Sequence, residues 1–435
     1  MSISAQRTQI IPLLALIVAT VVTDSSFSGI SPYIFDDANR YNLIVFFIVF
    51  ALAFLSQYLI LRKIGKKFHQ FLTFNHSKLF HKINTITPFA LLLILFIILL
   101  EIYVTSSYHT FTVTIIIWVV YAIALVNMSV LVYQFFLWFR INKNHMIISY
   151  TVAICSILIN LTTSVIYISV STHIDPVIIN WDYIPSESSS RVPSVMGSIY
   201  EITSIASFIL IWISSILLLS HYAKKYGLGK FVIITAAPLV YFITVFSPSL
   251  ADYFSDFSFN YPVLAQITFT ILLSAGKPIG GFLFGFIFLS ASKNVDNRLL
   301  KEYLSVAGYG IMILFTSNQL ISLISLDYPP FGTVTVIFLS LASYISFIGI
   351  YASAICVAED KELRHILRKA GAKNINMFNQ IGKSEMEKKL LTTAKAVVKN
   401  LKDETGVQTV EDEDYRKYIV DAIREINELK TKAKK

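Results

Sequence analysis

A single lysine, Lys277, lies near the centre of the apolar stretch Tyr261–Ser292. A charged side chain near the middle of a bilayer costs at least about 2.5–3.5 kcal/mol on insertion scales, so it usually faces the interior of a bundle. The residues alone leave three uses of this lysine open. It could cap backbone carbonyls freed by Pro278, bind an anionic group in an interior cavity, or couple to protons or ions beside a carboxylate. The candidate carboxylates are Glu101 and Glu201, although both lie nearer the outer ends of their predicted spans.

Helix-breaking residues surround the lysine, because Pro278 follows it directly and three glycines lie within four residues. As one helix the stretch would be roughly 45 Å long, against about 30 Å of hydrocarbon. We therefore expect it to tilt, kink or partly unwind at this point. The small-residue spacing is more typical of close helix packing than of a binding loop. The residues assigned to a hypothetical ligand site are Lys277, Gly276, Gly280, Gly281, Asn318 and Glu201.

Catalytic and metal-binding motifs are missing from the sequence. It contains no phosphate-binding loop, no zinc-protease motif, no nucleophile elbow and no dinucleotide fingerprint. His69, His76 and His81 share one loop without a metal-ligand spacing, and both cysteines, Cys155 and Cys356, fall in predicted spans. We expect no enzymatic activity, no catalytic residue, no cofactor, no metal site and no structural disulfide. The net charge of +9 comes from membrane-flanking loops and the tail, so we expect no nucleic-acid partner.

Hydropathy predicts an all-α, polytopic transmembrane helical bundle of about ten spans, in contact with a lipid bilayer. Apolar residues make up 55% of the chain and charged residues only 14%, which is far from the composition of a soluble domain. The predicted spans are Ile10–Val22, Tyr41–Leu61, Pro88–Thr105, Phe111–Phe139, Met146–Val170, Val195–His221, Phe231–Leu250, Tyr261–Ser292, Tyr303–Ile324 and Gly332–Val357.

Charge predicts the orientation of these spans. With the N-terminus inside, the outer loops hold only two basic residues, Arg40 and Arg191, and all other lysines and arginines except the intramembrane Lys277 fall on the cytoplasmic side. We therefore expect a protein of the cytoplasmic membrane with both termini cytoplasmic. Residues 10–22 could instead be a signal-peptide core, which would leave nine spans and the same interior tail. The composition change divides the chain into a bundle, residues 1–358, and a charged helical tail, residues 359–435.

The tail is predicted to form three helices. The first continues the last span as far as Gly371, the second opens at Ser384 with Glu387 in a capping-box spacing, and the third follows Glu411. Residues 384–430 carry two amphipathic stripes that could form only a small core. A self-packed or partly disordered tail and a surface for a cytoplasmic partner or a second copy are therefore equally favoured.

The segment Lys293–Lys369 carries a resemblance. The strings Gly308-Tyr309-Gly310, Tyr328-Pro329-Pro330-Phe331-Gly332 and Ala358-Glu359-Asp360-Lys361-Glu362-Leu363-Arg364 resemble a family of uncharacterised archaeal multi-spanning membrane proteins. They are also faintly similar to the seven-helix input modules that precede some sensor kinases. The resemblance implies a membrane module that passes a signal through the helix leaving its last span. The tail has no kinase motif, and no family active site can be carried over.

Three functions follow as hypotheses. The first is a non-enzymatic sensor or receptor-like module that binds a ligand near Lys277 and signals through its cytoplasmic tail. The second is a transporter or channel with its site at a broken eighth helix. The third is a structural or assembly subunit, which a solid interior would favour. A rigid helix leading from the last span into the tail would favour the sensor.

Overall fold

The computed structural model describes residues 12, 15–24, 27, 39–72, 78–105, 107–171, 178–179, 194–220, 223, 227–244, 259, 261–318, 330–369 and 373–405. The elements, numbered here in chain order, are α1 (Ala15–Asp24), α2 (Asn39–Leu72), α3 (Lys78–Thr105), β1 (Tyr108–His109), α4 (Thr110–Ile141), α5 (His145–Ser171), β2 (Ile178–Ile179), α6 (Ser194–Leu219), α7 (Leu228–Thr244), α8 (Pro262–Lys293), α9 (Arg298–Ser317), α10 (Thr333–Glu359), α11 (Lys361–Lys369) and α12 (Lys373–Thr405).

The architecture is helical, and a two-residue antiparallel pairing of β1 with β2 is the one sheet among the described residues. Eight of these helices, α2 to α6 and α8 to α10, are long and apolar enough to cross a membrane. Two shorter apolar helices, α1 and α7, lie in the positions of the first and seventh predicted spans. The all-α membrane bundle is therefore confirmed, whereas the count of ten spans stays a prediction.

Helix α10 forms the centre of the bundle, because every residue from Thr333 to Ala358 is buried. It packs on α9 and α4 most extensively, and also contacts α2, α3 and α12. A helix that is apolar on all sides is expected at such a position, since it has no face left for solvent or lipid. The core therefore runs along α10, and the other helices are arranged around it.

Glycines allow three neighbouring helices to approach closely. A Cβ added to Gly310 would lie 2.6 Å from the Ser346 backbone nitrogen, and one added to Gly349 would lie 2.5 Å from the Ala307 nitrogen. These contacts bring α9 and α10 together backbone to backbone. Between α8 and α9, a Cβ on Gly285 would lie 2.4 Å from the carbonyl oxygen of Gly308. The absence of a side chain at these glycines therefore permits the close packing of both helix pairs.

The predicted break in the eighth span is wrong in one respect, because α8 is helical without interruption from Pro262 to Lys293. Pro278 lies inside it and lacks the N–H that would donate to the preceding turn. The helix of 32 residues is roughly 48 Å long, so it exceeds the hydrocarbon thickness and must tilt or extend beyond it. The length mismatch is thus met without unwinding the helix around Lys277.

Asp24 is placed differently from the sequence prediction, which ended the first span at Val22. It is the last residue of α1 and is fully buried. Its Oδ2 accepts hydrogen bonds from the Thr335 backbone N–H at 2.7 Å and from the Thr335 hydroxyl at 2.8 Å. The carboxylate therefore caps the start of α10, where free N–H groups and the helix dipole favour negative charge. We call this side of the bundle the far end, and the side where α10 finishes the tail end.

The close approach of α8 and α9 leads to a test at Gly285. Alanine there would meet the Gly308 carbonyl and Met312, so we expect Gly285→Ala to lower the free energy of unfolding by about 1–3 kcal/mol. Gly276→Ala is the matched control on the same helix, because its nearest foreign atom is 3.6 Å away. It should be neutral or stabilising by up to about 1 kcal/mol. Thermal unfolding of the purified proteins measures both, and equal effects would contradict the packing described here.

Candidate functional site

Lys277 is half-buried and contacts two neutral oxygens. Its Nζ donates to the Asn318 backbone carbonyl at 2.6 Å and to the Tyr200 hydroxyl at 3.0 Å. The ammonium also lies 5.3 Å from the centroid of the Tyr200 ring, within range of a cation–π attraction. The lysine of α8 thus joins α6 and the end of α9.

The carbonyl that Lys277 contacts belongs to the residue that follows α9. Asn318 has non-helical dihedral angles and ends that helix. The last carbonyls of a helix have no partner within the helix, and the dipole favours a cation there. Lys277 is therefore a helix cap, as one of the predicted uses proposed. The carbonyl that it caps belongs to the end of α9, however. Among the described residues, Lys277 has no hydrogen bond to the turn before Pro278.

A chain of polar side chains extends from this contact. Asn318 Nδ2 donates to Asn160 Oδ1 at 2.8 Å, and Asn160 Nδ2 donates to Thr203 Oγ1 at 3.3 Å. The hydroxyls of Thr203 and Thr163 are 2.8 Å apart. We call the set Lys277, Tyr200, Asn318, Asn160, Thr203 and Thr163 the Lys277 cluster. It connects α5, α6, α8 and α9 inside the bundle.

Sequence reasoning identified only part of the Lys277 cluster. It singled out Lys277 and Asn318, because a charge and an amide are unusual at membrane depth. It missed Tyr200, Thr203 and Thr163, which are ordinary residues in a membrane helix. A signal for these residues was nevertheless present in the sequence. Asn160 and Thr163 are three positions apart, as are Tyr200 and Thr203, so each pair lies on one helix face.

The predicted carboxylate partners of Lys277 lie elsewhere. Glu201 is exposed, although its chain neighbour Tyr200 contacts the lysine. Glu101 accepts hydrogen bonds from the backbone N–H of His109 at 2.9 Å and from its Nδ1 at 3.0 Å. Within the described ranges, no carboxylate forms an ion pair with Lys277. Ion coupling through a paired carboxylate therefore has no support here.

The three glycines assigned to the site contact neighbouring helices. A Cβ on Gly280 would lie 2.2 Å from the Phe208 ring, and one on Gly281 would lie 2.9 Å from Phe315 Cβ. Gly276 has only ordinary contacts with Phe242 and Tyr241. Gly280 and Gly281 therefore let α6 and α9 approach α8, on either side of the lysine.

Two polar side-chain atoms of the residues that end α9 have no hydrogen-bond partner in the part of the chain that the structure describes. They are Asn318 Oδ1 and Ser317 Oγ, at the end of α9, and both residues are at least nine-tenths buried. A buried polar group left unsatisfied typically costs about 1–3 kcal/mol. Such a group in a native protein calls for an explanation, such as a bound water or ion. A small apolar cavity elsewhere in the bundle, between Met128, Tyr150 and Ile311, has no charged residue in its lining.

A second polar centre lies at the tail end, where α12 meets α4. Glu385 is 2% exposed, and its Oε2 accepts a hydrogen bond from Trp138 Nε1 at 2.7 Å. Lys388 Nζ lies 3.3 Å from the same oxygen and donates to Gln134 Oε1 at 2.8 Å. We call Gln134, Trp138, Glu385 and Lys388 the tail clamp. It fixes the tail helix to the bundle by charged and neutral hydrogen bonds together.

Apolar contacts accompany the tail clamp. Ile375, Met377, Phe378 and Ile381 are buried in the core, and the Phe378 ring lies 5.6 Å from that of Phe288 on α8. A Cβ on Gly382 would lie 2.3 Å from Val357 Cγ1 on α10. The first half of α12 is therefore part of the bundle core.

Two predictions about the tail are wrong. The second tail helix begins at Lys373, so Ser384 lies inside it, and its hydroxyl donates to the Gln380 carbonyl at 3.1 Å. The first tail helix does not continue the last span, because Asp360 is extended and separates α10 from α11. Asp360 Oδ1 accepts from the Leu363 N–H at 2.9 Å and starts α11 anew. The third tail helix lies outside the described residues.

The tail clamp leads to a paired test. Glu385→Ala leaves Trp138 Nε1 without its acceptor, so we expect a loss of about 1–3 kcal/mol and faster proteolysis of residues 373–405. Glu387→Ala is the control two positions along, where the carboxylate pairs with the exposed Lys383 at 3.7 Å. Such a surface pair contributes about 0–1 kcal/mol. Limited proteolysis with thermal unfolding measures both, and similar effects of the two variants would refute the clamp.

Comparison of the chain with known proteins finds no matching family model, no matching curated protein and no matching solved structure. The resemblance to archaeal membrane proteins and sensor input modules therefore stays an expectation. The geometry of the Lys277 cluster and of the tail clamp is what a functional proposal must rest on.

Proposed function

We propose that this multi-pass membrane protein is a non-enzymatic sensor or receptor-like module. Its input is the Lys277 cluster, and its output is the tail. One observation carries the proposal. Helix α12 packs beneath the bundle against α4, α5, α6, α8 and α10, and three of these helices, α5, α6 and α8, also form the Lys277 cluster.

A route for the signal follows from these contacts. Lys277 is roughly 24 Å along the axis of α8 from Lys293, at the tail end. Phe288, on the same helix, contacts Phe378 of α12. A small shift or rotation of α8 at the lysine would therefore be transmitted to α12 through direct packing. This route replaces a continuous helix from the last span, since α10 ends before α11 begins.

The proposal places the tail end in the cytoplasm. Five basic residues lie at the helix ends and in a short connection of that end, as the distribution of positive charge in membrane proteins favours: Arg140, Lys143, Lys293, Arg298 and Lys301. Helix α1 ends at the far end, where Asp24 contacts Thr335. Helix α4 ends at the tail end, where Trp138 contacts Glu385. Both positions fit helices that alternate in direction along the chain. Both termini are then cytoplasmic if α1 and α7 also cross the membrane.

The transporter or channel hypothesis depended on an interrupted eighth helix as the substrate site. Helix α8 is continuous from Pro262 to Lys293, so the transporter or channel hypothesis loses that support. A structural or assembly role remains the competing proposal, because the described interior is largely packed. A coupling measurement between the Lys277 cluster and the tail separates the two.

The partner surface in the proposal is narrower than residues 384–430. Ser384 and Glu385 are already buried against the bundle, so they are not available to another protein. Leu390 is the first large exposed apolar residue of the helix beyond the clamp. We therefore assign contact with a cytoplasmic protein, or with a second copy of the chain, to residues from 390 onward.

Hydrogen–deuterium exchange of the full chain in lipid nanodiscs tests the coupling. We expect Lys277→Met to raise the exchange of residues 373–393 by several-fold, because the shared helices α5, α6 and α8 lose one of their fixed contacts. Glu385→Ala, which breaks the tail clamp directly, gives the level of hydrogen–deuterium exchange expected for a released tail. Thr235→Val, which removes a buried hydroxyl bonded within its own helix α7, is the control and should leave that segment unchanged. Wild-type exchange of the tail in Lys277→Met would reject the sensor in favour of a structural role.

A further inference from the structure

The Lys277 cluster has more donors than described acceptors. The ammonium has three N–H groups, of which Asn318 O and Tyr200 Oη receive two. The Tyr200 hydroxyl accepts from the lysine, so its own hydrogen is directed elsewhere. Ser317, at the end of α9, adds a buried hydroxyl without a partner among the described residues. The charge of Lys277 is not neutralised by any described carboxylate.

The Asn318 amide can complete the set of donors. Its Oδ1 has no partner, while its Nδ2 donates to Asn160. A half-turn of both amides keeps that hydrogen bond with the roles exchanged and directs the Asn318 N–H to the unpartnered side. Asn160 Oδ1 then accepts from the Thr203 hydroxyl, which exchanges its present acceptor, the Tyr200 backbone carbonyl at 3.0 Å, for the amide oxygen. The network is therefore compatible with a ligand that only accepts hydrogen bonds.

We infer that the Lys277 cluster binds a small monovalent anion, held by the Lys277 ammonium, the Tyr200 hydroxyl and the Asn318 amide. A halide or a formate-sized carboxylate has this chemistry. The inference rests on the proposed function, because the anion would be the input that the sensor detects. A single negative charge matches the single ammonium and removes the penalty of an unpaired charge inside the bundle.

The aromatic residues around the cluster limit the size of the anion. The rings of Tyr167 and Tyr200 lie 5.6 Å apart, and those of Phe208 and Phe242 stack at 4.0 Å. Phe208 also fits directly over Gly280, one turn from the lysine. These rings, carried by α5, α6 and α7, pack against one another beside α8, so a nucleotide or a lipid headgroup would have to displace them.

Thermal unfolding of the purified full chain tests the inference, with sodium chloride or sodium formate exchanged against sodium gluconate at constant ionic strength. We expect the Tm of the wild type to rise by several degrees with a saturating dependence on the small anion. Lys277→Met should abolish the rise. Lys293→Met, which removes an exposed lysine at the end of the same helix, should retain it.

Tyr200→Phe keeps the inference testable if Lys277→Met does not fold. It removes one donor and keeps the ring, so we expect the half-saturating anion concentration to rise roughly tenfold. The same Tm in gluconate, chloride and formate would overturn the inference and leave Lys277 as a helix cap. An equal rise in wild type, Lys277→Met and Tyr200→Phe would mean an adventitious ion only. The chloride and formate arms identify which anion binds.

The two proposals fail in different experiments. If the anion has no effect but Lys277→Met still loosens the tail, the sensor stands and the ligand class is wrong. If chloride or formate stabilises the wild type but Lys277→Met leaves the hydrogen–deuterium exchange of the tail unchanged, the anion is a structural ion and the sensor is rejected.

Discussion

Helix α10 is buried from Thr333 to Ala358, so the free backbone groups near its two ends need partners from the protein. Side chains outside the helix supply them at both ends. At the far end, Asp24 accepts from the backbone and the hydroxyl of Thr335. At the tail end, Arg364 donates to the carbonyls of Val357 and Ala358. Each charge has the sign that the helix dipole favours at that terminus. The first helix and the tail are therefore held to the core by the same requirement.

Lys277 follows this rule one helix away. Its ammonium caps the end of α9, which terminates within the bundle at Asn318. The difference lies in what remains after capping. Arg364 donates to two carbonyls at the end of one helix. Lys277 instead caps a helix end where two buried atoms, Ser317 Oγ and Asn318 Oδ1, have no partner among the described residues. An intramembrane charge that serves as a cap and still has unsatisfied polar neighbours can have a second role, which the anion site would provide.

The first half of α12 belongs to the bundle core, and an exposed apolar residue, Leu390, follows it. Glu385 and Phe378 pack among residues of α4 and α8, and Leu390 is exposed one or two turns later. Such a helix can report on the arrangement of the bundle, because the tail clamp and its buried apolar residues connect it directly to α4, α8 and α10. The same geometry explains how a break after Glu359 is compatible with signalling, since the contact with α8 bypasses α10.

Local features of the sequence determined the helices. The observed bounds of α8 and α10, Pro262–Lys293 and Thr333–Glu359, lie within two residues of the predicted ones, because the length of an apolar run and its flanking charges are local properties. Close packing at the glycines was likewise readable from spacing. The tertiary structure alone decided the partners. Lys277 meets residues 41 and 77 positions away, and Trp138 meets Glu385 at a separation of 247. No local pattern encodes which helix end a buried charge will cap, so the sequence did not predict that Asp24 caps α10. The helix start predicted at Ser384 was wrong for a related reason, since only tertiary contacts bury that serine inside α12.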